Sequence, residues 1–212
     1  MDQAILQHFD SQVGHWASSL EHPGYQRRFE AVAKMVEGQQ SCVLDIGCGP
    51  SLYASLFTPN IYIGIDISQE MVKKALELHP RHWFRTGHAE RFSFPNGSFG
   101  LVLSIAVLEY LPNPVLHFKG IHRVLAPGGR AIIAVRNGYE RFREWDKKLL
   151  RLLGKPVVEK NFEHKAYTLE ELPLEGFHVR RVQFLHMILI PPIIDKRLHL
   201  NWIFEHCPWW RK

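Results

Sequence analysis

Cys42-Val43-Leu44-Asp45-Ile46-Gly47-Cys48-Gly49-Pro50 decides the fold. It reads as a short buried strand broken by a glycine turn. A second apolar run, Ile61-Tyr62-Ile63-Gly64-Ile65-Asp66, ends on an acid. Glycines at a strand's carboxyl end let backbone approach a ligand, and an acid ending the next strand accepts hydrogen bonds from ribose hydroxyls. The pair serves a dinucleotide or S-adenosylmethionine. A dinucleotide fingerprint wants glycine at position 52, where this chain has Leu52. Asp45 also sits inside an apolar strand, where it opposes a pyrophosphate and suits a cationic cofactor.

Working outward, Phe29, Val32, Ala33 and Val36 give Arg27 to Glu37 a helical apolar face. A helical stretch follows the glycine turn at Leu52 to Phe57. Ser68 caps a helix with Met71, Val72, Ala75 and Leu76 on its inner face. Trp83 to Thr86 is a third strand and Leu101 to Ile105 a fourth, continuous in apolar residues as expected when both faces are covered. A helix from Pro114 to Leu125 leads through Pro127-Gly128-Gly129 to a fifth strand, Arg130 to Val135. Glu140 to Leu153 reads as a helix, Thr168 to Glu171 has capping-box spacing, and Val179 to Leu185 is a candidate sixth strand. Alternating strands and helices predict an α/β fold, a mainly parallel central sheet with helices on both faces.

Several classes are excluded. The 212 residues are 46% hydrophobic and 22% charged, an ordinary globular composition. Three cysteines form neither an even disulfide framework nor a Cys-x-x-Cys pair. His79, His82 and His88 are scattered, so no metal site is expected. The first eight residues have no basic segment followed by an apolar one, and the apolar stretch Met187 to Ile194 is too short to span a membrane. A cytoplasmic chain is expected. The net charge of +5 lies wholly after Val135. No groove-reading motif accompanies it, so a nucleic-acid partner is not expected.

The motifs resemble a known family. Val43 to Pro50 and Ile63 to Ser68 are similar to the first two motifs of class I S-adenosylmethionine-dependent methyltransferases. Gly87 to Pro95, Val107 to Leu111 and Arg123 to Gly129 resemble the stretches around their third, fourth and fifth strands. The closest branch is that of ubiquinone- and menaquinone-biosynthesis methyltransferases. The resemblance implies the Rossmann-like class I fold and S-adenosyl-L-methionine as cofactor. It places Asp45, Gly47, Cys48 and Gly49 at the amino-acid end, with Cys48 read as a packing residue. Asp66 falls on the ribose, Ile67 beside the adenine, and His88, Ala89 and Glu90 around the adenine edge. Ser104 and Ile105 mark the fourth strand's carboxyl end. The chain departs from the family pattern at Ser51, in place of a third glycine. His88 replaces an aspartate that accepts from the adenine amino group, and Gly100 replaces the aspartate before the fourth strand.

The expected organisation is one structural domain: residues 1–40 a helical lid, 41–136 the cofactor core, and 137–212 a part completing the sheet and acceptor pocket. Aromatic residues flank the core at Phe9, Trp16 and Tyr25 and again at Trp202 to Trp210. They read as packing, as an apolar acceptor chamber, or as a peripheral membrane-facing surface beside the basic C-terminal part. Phe9, Trp16, Tyr25, Arg136, Asn137 and Tyr139 are candidate acceptor contacts. His8, His15, His117 and Tyr139 are candidate bases. The expected function is methyl transfer to an O, N or C nucleophile of a small apolar or aromatic molecule. The rivals are a non-catalytic cofactor-binding module and an NAD-dependent oxidoreductase.

Overall fold

The computed structural model describes residues 3–18, 23–136, 152 and 165–183. Helices α1 (Gln3–Ser11), α2 (Val13–Ala17) and α3 (Pro23–Val36) precede β1 (Val43–Ile46). A 3-10 turn over Leu52–Leu56, β2 (Tyr62–Asp66), α4 (Gln69–Leu78) and β3 (Trp83–Thr86) follow. The chain continues through β4 (Phe99–Ile105), a 3-10 turn at Leu108–Tyr110, α5 (Pro114–Val124) and β5 (Leu125–Ala134). The 52–57 stretch is thus a 3-10 turn, and the fifth strand begins earlier than its periodicity indicates. Residues 179–183 form no strand, while 137–151, 153–164 and 184–212 lie outside the described residues, with the 140–153 helix (Leu152 apart), the 184–185 end of the sixth strand and the C-terminal tryptophans.

The five strands among the described residues are all parallel, in the order β3-β2-β1-β4-β5. The chain runs outward from β1 to β3, then returns to the other side of β1 for β4 and β5. That reversal puts a switch point between β1 and β4, where parallel sheets open a crevice at their carboxyl ends. Strand alternation sends Val43, Leu101, Leu103 and Ile105 to one face, where they meet Val32 and Val36 of α3 and Tyr53 and Phe57. Leu44, Ile46 and Val102 point to the other face, against Ile121 and Val124 of α5. Each such side chain contributes roughly 1.5–3 kcal/mol by leaving water. Helix α3 is part of this core through Val32 and Val36.

Helix starts explain the loop positions. The Ser68 hydroxyl accepts from the Met71 N–H at 3.1 Å and caps α4. Asn113 accepts from the Val115 N–H and caps α5, with Pro114 in the first turn. At the missing aspartate, a Cβ on Gly100 would come within 2.6 Å of the Ser41 Cβ, so Ser41 occupies the room a side chain needs.

Candidate active site

At the switch point lies a cleft lined by the ends of β1, β2 and β4 and by α1, α2 and α3. Its floor comes from Asp45, Gly47, Cys48, Gly49, Asp66 and Ile67, with Gly87, Ala89, Ile105 and Val107 beside them. Its roof comes from Phe9, Trp16, Arg28, Tyr53, Tyr110 and Leu111.

The floor requires its glycines for two different reasons. Gly47 has φ +70°, and a Cβ there would stand 2.5 Å from a Val107 methyl. Gly49 has φ +54°, but a Cβ there would meet nothing within 4 Å and would project into open space. The first glycine is needed by the fold and the second leaves room for a ligand. Ser51 also adopts a left-handed backbone, φ 64°, which explains why glycine is favoured at this position. The strain, roughly 1–2 kcal/mol for an L-residue, is offset by a hydrogen bond. The fully buried Ser51 hydroxyl donates to the Tyr62 hydroxyl at 2.7 Å, and Tyr62 donates onward to Asp45 Oδ2 at 2.6 Å.

Asp45 is therefore a buried carboxyl at the end of a two-hydroxyl relay. Burial pushes its pKa up to about 7 against the Tyr62 bond, with the Asp66 charge adding to the rise. Asp66 ends β2 with Oδ2 accepting from Gly49 N–H at 2.8 Å and Oδ1 from Ser68 N–H at 2.9 Å. Both oxygens keep a lone pair for a further donor. Burial raises its pKa as well, while those backbone donors oppose the rise. Cys48 is buried with its thiol pKa well up, first by burial and then by the two carboxylates, which keeps it protonated and unreactive.

Helices α1 and α2 dock through polar and aromatic contacts. Ser68, already capping α4, donates its hydroxyl to Asp10 Oδ1 of α1 at 2.5 Å. Phe9 packs edge-on against Tyr110 at 4.8 Å, and Trp16 against Tyr25 at 5.8 Å.

Residues 44–133 match the methyltransferase-domain family. They belong to it. The cofactor of this family of methyltransferases is S-adenosylmethionine. The chain is 34% identical over 122 residues to the 2-methyl-6-phytyl-1,4-hydroquinone methyltransferase of Synechocystis, covering 52% of this chain and 38% of that protein. It is 32% identical over 157 residues to the chloroplastic tocopherol O-methyltransferase of Arabidopsis thaliana, covering 66% and 45%. The chain thus spans less than half the length of these two relatives. A solved SAM-dependent methyltransferase from Thermotoga maritima shares the fold, with a TM-score of 0.57 at 22% identity over 77% of this chain and 74% of that one. This family assignment sets aside the NAD-dependent alternative.

Within the methyltransferase domain, several expected site residues take other places. His88 and Glu90 do not line the cleft. The Glu90 N–H donates to His88 Nδ1 at 3.1 Å, so the neutral ring carries its proton on Nε2. A ring in that tautomer offers a donor through its other nitrogen, whereas the expected role uses an acceptor for the adenine amino group. Glu90 Oε1 instead accepts from the Asn113 N–H at 2.6 Å, fixing the start of α5. His117 is fully buried, with Nδ1 donating to Ala89 O at 2.8 Å and Nε2 accepting from Ser104 Oγ at 2.9 Å. It ties the 87–90 loop to β4, so neither His117 nor Ser104 faces the cleft, and His117 leaves the list of bases. His15 is exposed, and neither it nor His8 lines the cleft. Asn137 and Tyr139 lie outside the described residues.

Two roof residues escaped the motif reading: Arg28 and Tyr53. Their signal was weak, because each sits in an amphipathic or 3-10 segment whose period marks burial but not which cavity it faces. Glu109, beside Tyr110, accepts from the Arg136 N–H through Oε1 at 2.8 Å. The segment at 165–167 binds the same corner. Lys165 N–H donates to Glu109 O, Tyr167 N–H to Arg136 O, and the Tyr167 hydroxyl to Leu108 O.

Proposed function

We propose that this chain is an S-adenosylmethionine-dependent methyltransferase acting on a small apolar or aromatic molecule. The observation that carries the reading is the cleft at the switch point, where Gly47, Gly49 and Asp66 of the methyltransferase domain face the aromatic roof. When bound, the cofactor supplies an electrophilic methyl group on a sulfonium, which becomes a neutral thioether on transfer.

The residues then divide the work. Asp66 accepts the two ribose hydroxyls with the lone pairs its backbone donors leave open. Ile67, Gly87 and Ala89 flank the adenine. Gly47, Cys48 and Gly49 admit the amino-acid end, and Asp45 faces its positive charge. Ile105 closes the floor beside the reacting methyl. Phe9, Trp16, Tyr110 and Leu111 exclude water and align the acceptor. In-line displacement at a sulfonium methyl depends mainly on alignment and a dry site, so it needs no strong base unless the nucleophile carries an acidic proton. The Tyr110 hydroxyl has its pKa raised by burial and by Glu109, so it stays protonated and orients the acceptor as a hydrogen-bonding group. Arg136, just beyond β5, and Tyr25 do not line the cleft.

The quinol and tocopherol relatives support a hydroquinone-like acceptor. A cytoplasmic location and peripheral membrane contact through residues 137–212 complete this reading. The test is transfer of a tritiated methyl group from the cofactor to a panel of hydroquinones, phenols and total RNA. Label on a hydroquinone or phenol is the expected result. Label on RNA alone, or binding without transfer to any acceptor, would overturn the acceptor assignment and the catalytic reading respectively.

A further inference from the structure

Strand β3 (Trp83–Thr86) ends the sheet among the described residues. Its register with β2, and the Gly87 N–H bond to Asp66 O, turn the peptide groups of Trp83 and Arg85 toward β2. Those of Phe84 and Thr86 therefore point outward, where a further strand would take them. Sheet edges are usually guarded by proline, a bulge or a projecting charge. Here the register is unbroken and the one charge of the strand is laid flat. The Arg85 guanidinium carbon sits 4.2 Å above the Phe94 ring, and Nη2 donates to Ser93 O at 2.9 Å. Trp83, on the same face two residues earlier, is 73% exposed. On the opposite face His79, which ends α4, packs against Phe84 at 6.4 Å. Leu76 and Leu78 of α4 are exposed, and its charges are self-contained in the pairs Glu70–Lys73 and Glu77–Lys74.

We infer that β3 is a self-association edge, pairing antiparallel with β3 of a second copy about a twofold axis through Phe84. The outward groups of Phe84 and Thr86 leave few registers for a symmetric pair. A twofold axis at Arg85 sets the two guanidinium groups directly opposite each other, which their like charges oppose. An axis at Thr86 sets Trp83 and Arg85 opposite Ala89 and Gly87 of the second copy, with nothing to match them. An axis at Phe84 pairs its N–H and C=O with those of its counterpart and sets Trp83 opposite Arg85 twice. These are non-hydrogen-bonded positions, where facing side chains come closest. The guanidinium face turned away from Phe94 receives the indole, a cation–π contact repeated by symmetry. A second copy is the occupant, rather than another extended chain, because β3 holds both halves of that contact. The two sheets join edge to edge with their carboxyl ends opposed, so each cleft opens on its own side of the assembly.

Sedimentation velocity on the full chain, over a range of concentrations, compares wild type, Trp83→Arg and the double variant Trp83→Arg with Arg85→Trp. Wild type should dimerise. Trp83→Arg sets arginine opposite arginine at both positions and should weaken the dimer roughly tenfold or more. The double variant restores an indole opposite each guanidinium and should recover most of the loss. Position 83 is exposed, so the circular dichroism of Trp83→Arg should match wild type, which separates lost association from lost folding. A dimer that Trp83→Arg leaves intact would overturn the inference, because another surface then joins the copies. Failure of the double variant to recover would overturn the pairing of Trp83 with Arg85. A wild type that stays monomeric would also overturn the inference, and amide exchange at Phe84 and Thr86 would then say what holds the edge. Protection in the monomer means that a segment of the same chain covers it, and rapid exchange means that it is bare.

Discussion

The floor and the roof of the cleft are built by different means. The floor is backbone-made: the glycine turn after β1 and the Asp66 carboxylate, held by N–H groups of Gly49 and Ser68. The roof is side-chain-made: Phe9, Trp16, Arg28 and Tyr110, carried on helices and a 3-10 turn. Backbone geometry restricts residue type severely, so a floor leaves a mark in sequence. A wall of side chains tolerates many residues and leaves little. The contrast predicts that floor changes act on cofactor binding or folding, and roof changes on acceptor handling.

The largest effect should come from Asp66→Ala. It removes two ribose contacts worth roughly 1.5–3 kcal/mol each, so affinity for S-adenosylmethionine should fall at least about a hundredfold while the far-ultraviolet spectrum stays folded. Wild-type affinity by calorimetry would break the assignment of the floor. Gly47→Ala should come next, costing about 2–4 kcal/mol in urea unfolding, because the left-handed backbone and the Val107 methyl both resist a Cβ. Gly49→Ala should cost only about 1–2 kcal/mol of stability yet weaken the cofactor about tenfold, since its methyl enters the cleft. Equal behaviour of the two alanine variants in both assays would erase the distinction between fold-bound and ligand-facing glycines.

A smaller effect follows from Asp45. Its raised pKa means the folded chain holds a proton that the unfolded chain releases from about pH 4 upward. The stabilisation is therefore full below pH 4 and disappears as pH rises through about 7. His88, whose pKa is lowered chiefly by burial, acts in the opposite sense, so the measurement is the melting-temperature difference between wild type and Asp45→Asn. That difference should move against wild type from pH 4 to 7 and then level off. A flat difference would show that the relay holds Asp45 in one protonation state throughout. The smallest effect should be Asp10→Ala, which removes the Ser68 contact. It should cost about 0.5–1.5 kcal/mol and change cofactor affinity less than about threefold. A tenfold loss would mean that the roof acts on the cofactor directly.

The strand order and the floor were legible because parallel, doubly covered strands read as apolar runs and because Gly47, Gly49 and Asp66 occupy positions few other residues fill. Ser51 looked like a departure and is a compensated one, since its hydroxyl joins the Tyr62–Asp45 relay; only the three-dimensional pairing of β1 with β2 reveals it. His88 and His117 share one reason why their surroundings were not legible. A histidine in sequence shows a titratable ring but not which carbonyl or N–H holds it, and here Glu90, Ala89 and Ser104 do. Arg28 was passed over because its neighbours fit an amphipathic helix, and a helical period does not say which polar residue turns inward.

Ser68 serves two masters: it accepts from the first turn of α4 and donates to Asp10 of α1. The covering helices therefore rest on a loop whose own geometry is fixed by Asp66 and α4. Under mutation, substitutions along residues 3–18 can retune what lies against Phe9 and Trp16 while the cofactor end inherits no change. A lineage carrying this arrangement can drift in acceptor without passing through forms that have lost their methyl donor.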